Sequence, residues 1–125
     1  MKCSEANGMN PSNRPGNAGP LVSELAADPD MSELVEMFVA ELPARLKAMS
    51  EAMAGANYES LRRLAHQLKG AGGGYGFPSI STAAATLERS LLQSGLNPQG
   101  NAQALASIKR ELDELVQLCN RARAA

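Results

Sequence analysis

Residues 58–74 read YESLRRLAHQLKGAGGG, and this stretch decides the fold class. Its apolar residues are Tyr58, Leu61, Leu64, Ala65, Leu68 and Ala71, with Tyr75 one turn further on. Spacings of three and four place them on one stripe of an amphipathic helix, because a helix returns to the same face about every 3.6 residues. Asn57 stands just before the stretch, where an amide oxygen can accept from the first free N–H groups of a helix. The segment therefore predicts a helix over 58–74.

Helical geometry also assigns directions. Each residue advances the side chain by about 100°. With Leu68 at the centre of the stripe, Leu61 lies near about +20° and Leu64 near about −40°. His66, the only histidine in the chain, falls at about 160°, and is expected to face solvent. Around it the same count places Arg62 at about 120°, Arg63 at about −140°, Lys69 at about 100° and Gly70 at about −160°. Residues three and four apart are neighbours on a helix surface, so three cations are expected to flank the ring. Nearby positive charge favours the neutral, nucleophilic imidazole. The same cations would hold a dianionic group attached to the ring through charge-assisted hydrogen bonds.

The glycines in the stretch add to this. Gly70, Gly72, Gly73 and Gly74 each cost about 1 kcal/mol relative to alanine in a helix, about 3–4 kcal/mol together. Read on a surface helix, the run brings no structural return. It lets a partner approach the His66 ring closely.

Outward from this helix the same periodicity continues. From Met31, the residues Val35, Phe38, Leu42, Leu46 (Arg45 by strict count), Met49 and Met53 form a second stripe. Pro43 interrupts it and is expected to kink the helix or split off a short N-terminal one. Gly55 ends it. After a loop at Gly76 and Phe77, Pro78 suits the first turn of a third helix carrying Ile80, Ala83, Ala84, Leu87 and Leu91 and stopping near Gly95. The last stripe is Leu105, Ile108, Leu112, Leu115 and Leu118 or Cys119. No segment alternates at period two for long enough to indicate a strand. Helices of similar length joined by short loops predict an all-α, antiparallel up-and-down four-helix bundle with a short additional N-terminal helix. With four Phe and Tyr residues and no Trp, the core is expected to be Leu, Ala, Met and Val.

The bundle is assigned to residues 21–125. Residues 1–20 hold Pro11, Pro15 and Pro20 among many Asn, Ser and Gly. They are too poor in apolar surface to offset ordering entropy and read as a disordered tail or linker. The chain has 125 residues, 12 basic and 13 acidic, with formal net charge −1. That balance argues against a nucleic-acid binder. No apolar run approaches the roughly 20 residues of a membrane span, and no signal-peptide core follows Lys2, so a soluble cytoplasmic protein is the default reading. Cys3 and Cys119 form neither a disulfide framework nor a ligand pattern, and Cys119 reads as a small buried hydrophobe.

Other chemistries lack their residues. One histidine with neither paired cysteines nor a Glu-x-x-His motif supplies no usual metal set. No Walker-type loop is present, and Gly72-Gly73-Gly74 follows a helix pattern rather than a strand.

The segment AHQLKG at 65–70, with Gly76 ten residues after the histidine, resembles the signature of histidine-containing phosphotransfer (HPt) domains: His-x-Leu-Lys-Gly, five residues, then Gly. Leu61-Arg62-Arg63-Leu64-Ala65 and Leu87-Glu88 also look like that family. The glycines at 72–74 depart from it, since Ala, Ser or Asn is commoner there. The resemblance implies a phosphoryl carrier rather than an enzyme, with His66 as phosphoacceptor, Lys69 stabilising the phosphate, Gly70 keeping the ring accessible and Gly76 permitting a tight turn. Gln67 would contribute to partner contacts. Arg62, Arg63 and Gly73 join it from the angular argument alone. The implied partners are receiver domains of response regulators and a hybrid sensor histidine kinase, with Mg²⁺ on the receiver and no cofactor on this chain. A monomer is expected. Two other readings stay open on the residues themselves: a helical docking or inhibitory module that is never phosphorylated, and a homo-oligomeric bundle whose histidine is incidental.

Overall fold

The computed structural model describes residues 19–124. Four helices make up most of it: α1 Ser32–Ala54, α2 Tyr58–Gly74, α3 Pro78–Gln93 and α4 Ala102–Arg121. Neighbours in sequence pack side by side and α1 also meets α4, closing the ring of an antiparallel bundle. The most extensive packing is between α2 and α3. The reading of residues 1–20 as a tail, and Cys3 with it, lies almost wholly outside the described residues.

Local chemistry accounts for the boundaries. The Asn57 side chain accepts from the Ser60 N–H at 3.2 Å at the start of α2. Asn101 accepts from Gln103 and Ala104 at the start of α4. Pro78 occupies the first turn of α3, where its missing N–H has no partner to lose. Gly55 ends α1, but the left-handed conformation falls on Ala56, at φ 57°.

Among the described residues no separate N-terminal helix precedes Pro43, which corrects the expectation there. Helix α1 runs through Pro43 for 23 residues. The proline sits on the exposed face, where the carbonyl it leaves unbonded can be solvated. Val35, Phe38, Leu42, Leu46 and Met49 remain on one buried stripe across it. Continuous burial of that stripe outweighs the loss of one backbone hydrogen bond.

The core is aliphatic along most of its length, with Leu61, Leu68, Ile80, Leu87, Leu91, Ile108 and Leu115 fully buried. It is not aliphatic throughout. Phe77, read as a loop residue, is the largest fully buried side chain. It joins Phe38 and Tyr75, with Phe38 stacked on Tyr75 at 5.1 Å between centroids and tilted against Phe77 at 5.7 Å. Cys119 is buried in α4, and burial pushes its thiol up to about 12.

A strap precedes α1 that periodicity did not reveal. Leu21 and Val22 (β1) pair in parallel with Ala122 and Arg123 (β2). Two-residue strands are too short to show alternation. The buried Ser23 donates to the Tyr75 carbonyl at 2.7 Å and accepts from the Leu25 N–H at 3.0 Å. The Glu24 N–H donates to the Gly76 carbonyl at 2.8 Å. Gly76 has φ +88°, and a Cβ there would lie 2.4 Å from Ser23 Oγ. The expected tight turn at Gly76 is present, and it also serves as the seat of the strap.

Candidate functional site

His66 projects from the outer face of α2 with 59 % of its side chain exposed, as the angular count predicts. Its environment is not the purely cationic one expected. Glu88 reaches it from α3, and only 10 % of that side chain is exposed. Glu88 Oε2 lies 3.0 Å from His66 Nδ1 and 3.3 Å from Arg62 Nη1. Glu88 Oε1 lies 3.1 Å from Lys69 Nζ. One carboxylate thus gathers the ring and two cations, all from α2.

Both oxygens of Glu88 are engaged, and the effects on its titration compete. Burial pushes its carboxyl up. The hydrogen bond and charge of Lys69, then the charge and hydrogen bond of His66, outweigh burial and hold it below the ordinary glutamate value. Arg62 is further fixed by Glu59, with Nη2 3.0 Å from Oε2 and Nε 3.3 Å from Oε1. The hydrogen bond from Arg62 lowers the Glu59 carboxyl, and the same bond raises the Arg62 guanidinium.

An ionised carboxylate only accepts hydrogen bonds. The ring nitrogen facing Glu88 must therefore carry the hydrogen. In a neutral ring that leaves the lone pair on Nε2, which has no partner among the described residues. The arrangement offers an exposed nitrogen nucleophile on a ring held from behind.

The close seating of α3 on α2 places Glu88. A Cβ at Gly72 would lie 3.1 Å from both Ile80 Cγ2 and the Ser81 backbone nitrogen. Ser81 Oγ donates to the Lys69 carbonyl at 2.8 Å. The expectation that the glycine run brings no structural return is therefore wrong for Gly72, which is buried in the helix contact. Gly70 and Gly74 would meet nothing within 4 Å, and Gly73 only Ser81 Oγ at 3.4 Å and Cβ at 3.8 Å. Open space at Gly70 lies one turn from the exposed ring.

The remaining expected site residues separate. Arg62 and Lys69 belong to the cluster. Arg63 does not: its guanidinium donates to Ser60 at 3.3 Å and lines a shallow hollow between α1 and α2 with Ala48 and Glu51. Gln67 and Gly73 are exposed beside the site. Sequence reasoning gave Glu88 no role, although a signal was there. Glu88 lies four residues after the buried Ala84 and three before the buried Leu91, so a carboxylate occupies the apolar register of α3. No group of three or more metal-ligating side chains exists among the described residues, and none of their helices is long and apolar enough to cross a membrane.

Comparison with known proteins finds the family model described as "Hpt domain" matching residues 33–123. No curated protein and no solved structure matches.

Proposed function

The chain belongs to the Hpt domain family, and from that premise we propose that it carries a phosphoryl group on His66 within a two-component phosphorelay. Domains of this family are phosphoryl carriers rather than enzymes. His66 accepts the group from a receiver-domain aspartate or a kinase and passes it to the receiver domain of a response regulator. The observation that carries this reading is the exposed Nε2 of the chain's only histidine, with Nδ1 occupied by Glu88.

The other residues take supporting parts. Lys69 is 39 % exposed on its side chain, and its long flexible stem can turn from Glu88 Oε1 toward a phosphoryl group on the ring. Gly70 leaves room for the loops of a receiver. Arg62, Arg63, Gln67 and Gly73 lie on the partner-facing side. The Mg²⁺ that neutralises the transferring phosphoryl belongs to the receiver, and the chain acts as a monomer in a cytoplasmic relay.

The test is phosphotransfer from phosphorylated receiver domains, or from a hybrid sensor histidine kinase, of the same organism. Acid-labile label on wild type and none on His66→Gln is the expected result. Equal labelling of His66→Gln would refute His66 as acceptor. Receiver binding without label, unaffected by His66→Gln, would favour a docking module instead.

A further inference from the structure

We propose that residues 21–25 are a latch on the helix that carries His66: docked, they keep the glycine-rich end of α2 helical, and when they lift, that end melts with them as far back as Lys69. The consequence for phosphotransfer rests on the phosphocarrier reading above; the coupling of strap and helix does not.

The two halves of α2 are held differently. The first half starts at the Asn57 cap and buries Leu61, Ala65 and Leu68 completely. From 70 to 74, four of the five residues are glycine, the weakest helix former after proline. Only Gly72 is buried there, and it has no side chain to bury. No basic residue stands in the last turn, where a cation would favour the outgoing carbonyls. Local chemistry therefore disfavours the helix beyond Lys69, and its order has to come from packing against other elements.

Those elements grip it at two points. Near Lys69, Ser81 of α3 donates to the Lys69 carbonyl at 2.8 Å. At the far end the Tyr75 ring rests on Phe38, and the strap supplies the remaining hydrogen bonds. The Ser23 hydroxyl holds the Tyr75 carbonyl, and the Glu24 N–H holds the Gly76 carbonyl. Gly76 turns at φ +88° directly beneath Ser23, with no space for a Cβ. Strap and helix end thus share one turn, and neither keeps these bonds if the other moves.

The strap is itself lightly held. Leu21 and Leu25 are only partly buried, Val22 is exposed, and the pairing of β1 with β2 is two residues long. A segment with so little buried apolar surface opens at the low end of a protein's free-energy range. The opening reaches the site because Lys69 is the last residue before the glycines. Once residues 70–74 leave the helix, the Lys69 carbonyl loses its helical partner, the Gly73 N–H. The lysine then stands on a frayed last turn.

Native-state hydrogen exchange of the full-length protein at increasing urea tests the latch. In wild type the Glu24, Tyr75 and Phe77 amides are expected to share one opening with one urea dependence, and to exchange about tenfold or more faster than Ile108 and Leu115 in α4. Coupling must be reciprocal. Gly74→Ala adds helix propensity where a Cβ meets nothing within 4 Å. It is expected to slow exchange at Glu24 about two- to fivefold, although Glu24 lies on the strap. Exchange at Glu24 that outpaces Tyr75 and Phe77, or that ignores Gly74→Ala, would overturn the proposal. So would protection of Tyr75 equal to that of Leu115. For the site, the probe is phosphoramidate, a small phosphoryl donor that needs no partner protein. Labelling is compared at a urea concentration where exchange shows the unit open in Ser23→Ala, closed in wild type, and α4 closed in both. Ser23→Ala is expected to label about threefold or more slowly, as Lys69 loses its fixed place beside the phosphoryl group. Equal rates would overturn the link from latch to site. If wild type takes no label from phosphoramidate or from receivers, the phosphocarrier reading fails, while exchange still decides whether strap and helix open together.

Discussion

A methyl group added at Gly72 and one added at Gly70 should change stability in opposite directions. Both substitutions gain about 1 kcal/mol of helix propensity. At Gly70 the new Cβ meets nothing within 4 Å, so Gly70→Ala is expected to stabilise by about 0.5–1 kcal/mol. At Gly72 it meets a side-chain methyl and a backbone nitrogen, each at 3.1 Å. The backbone of α3 cannot yield without moving Ser81 off the Lys69 carbonyl. Overpacking of this kind costs about 1–3 kcal/mol and should outweigh the gain, so Gly72→Ala is expected to destabilise. Urea unfolding midpoints of the two variants decide it, and shifts of the same sign would contradict the contact described for α2 and α3. Gly70→Ala should also slow phosphotransfer from a receiver, since its stability gain fills the space beside the ring. The closeness of the contact was not available from sequence. The helical count does put Gly72 at about +40°, on the buried stripe, and Gly70 at about −160°, but only the neighbouring helix shows that the contact at Gly72 is too close for a methyl group.

At the scale of elements, single-helix signals were legible and inter-element ones were not. Periodicity placed the bounds of α2, and Asn57 and Pro78 marked where helices begin because capping and proline chemistry are local. Pro43 misled for the same reason. Its local cost is real, but the buried stripe on either side of it is a property of the assembled bundle. Since Pro43 is exposed, Pro43→Ala should restore a backbone hydrogen bond without disturbing the core. An interior proline costs about 3 kcal/mol, less about 0.4–1 kcal/mol that its stiffness takes from the unfolded chain, so a gain of about 2–2.6 kcal/mol is expected. An unchanged or lowered denaturation midpoint would show that α1 bends usefully at this residue. The strap makes a complementary case. Removing the Ser23 hydroxyl leaves the Tyr75 carbonyl and the Leu25 N–H without that partner at a buried position. Ser23→Ala should therefore destabilise by about 1–3 kcal/mol. If hydrogen exchange at Gly76 and Phe77 stays as slow as in wild type, the strap does not secure that turn.

At the scale of the whole molecule, the site is where two consecutive helices share one charge. His66, Lys69 and Gly70 were legible because they lie on a single helix whose geometry is known in advance. Glu88 is 22 residues from His66, and its role appears only when α3 packs against α2. Its titration supplies a global measurement. Burial raises the Glu88 carboxyl, but Lys69 and His66 lower it further, so its value in the folded protein lies below that in the unfolded chain. Arg62 also faces it from α2, tied at its other side to Glu59. Between the folded and unfolded values the unfolded chain binds more protons, so stability rises with pH there. The contribution of Glu88 is therefore fully present above the ordinary glutamate value and is lost as pH falls through its lower folded value. Glu88→Gln cannot ionise and should lack this dependence. The stability difference between wild type and Glu88→Gln, from urea unfolding at a series of pH values, should be constant near neutrality and shrink on acidification through that range. High salt should reduce it only partly, because the contacts are half-buried and short. A difference independent of pH would mean that the carboxylate charge contributes nothing to the fold, and that Arg62 and Lys69 sit beside Glu88 without holding it.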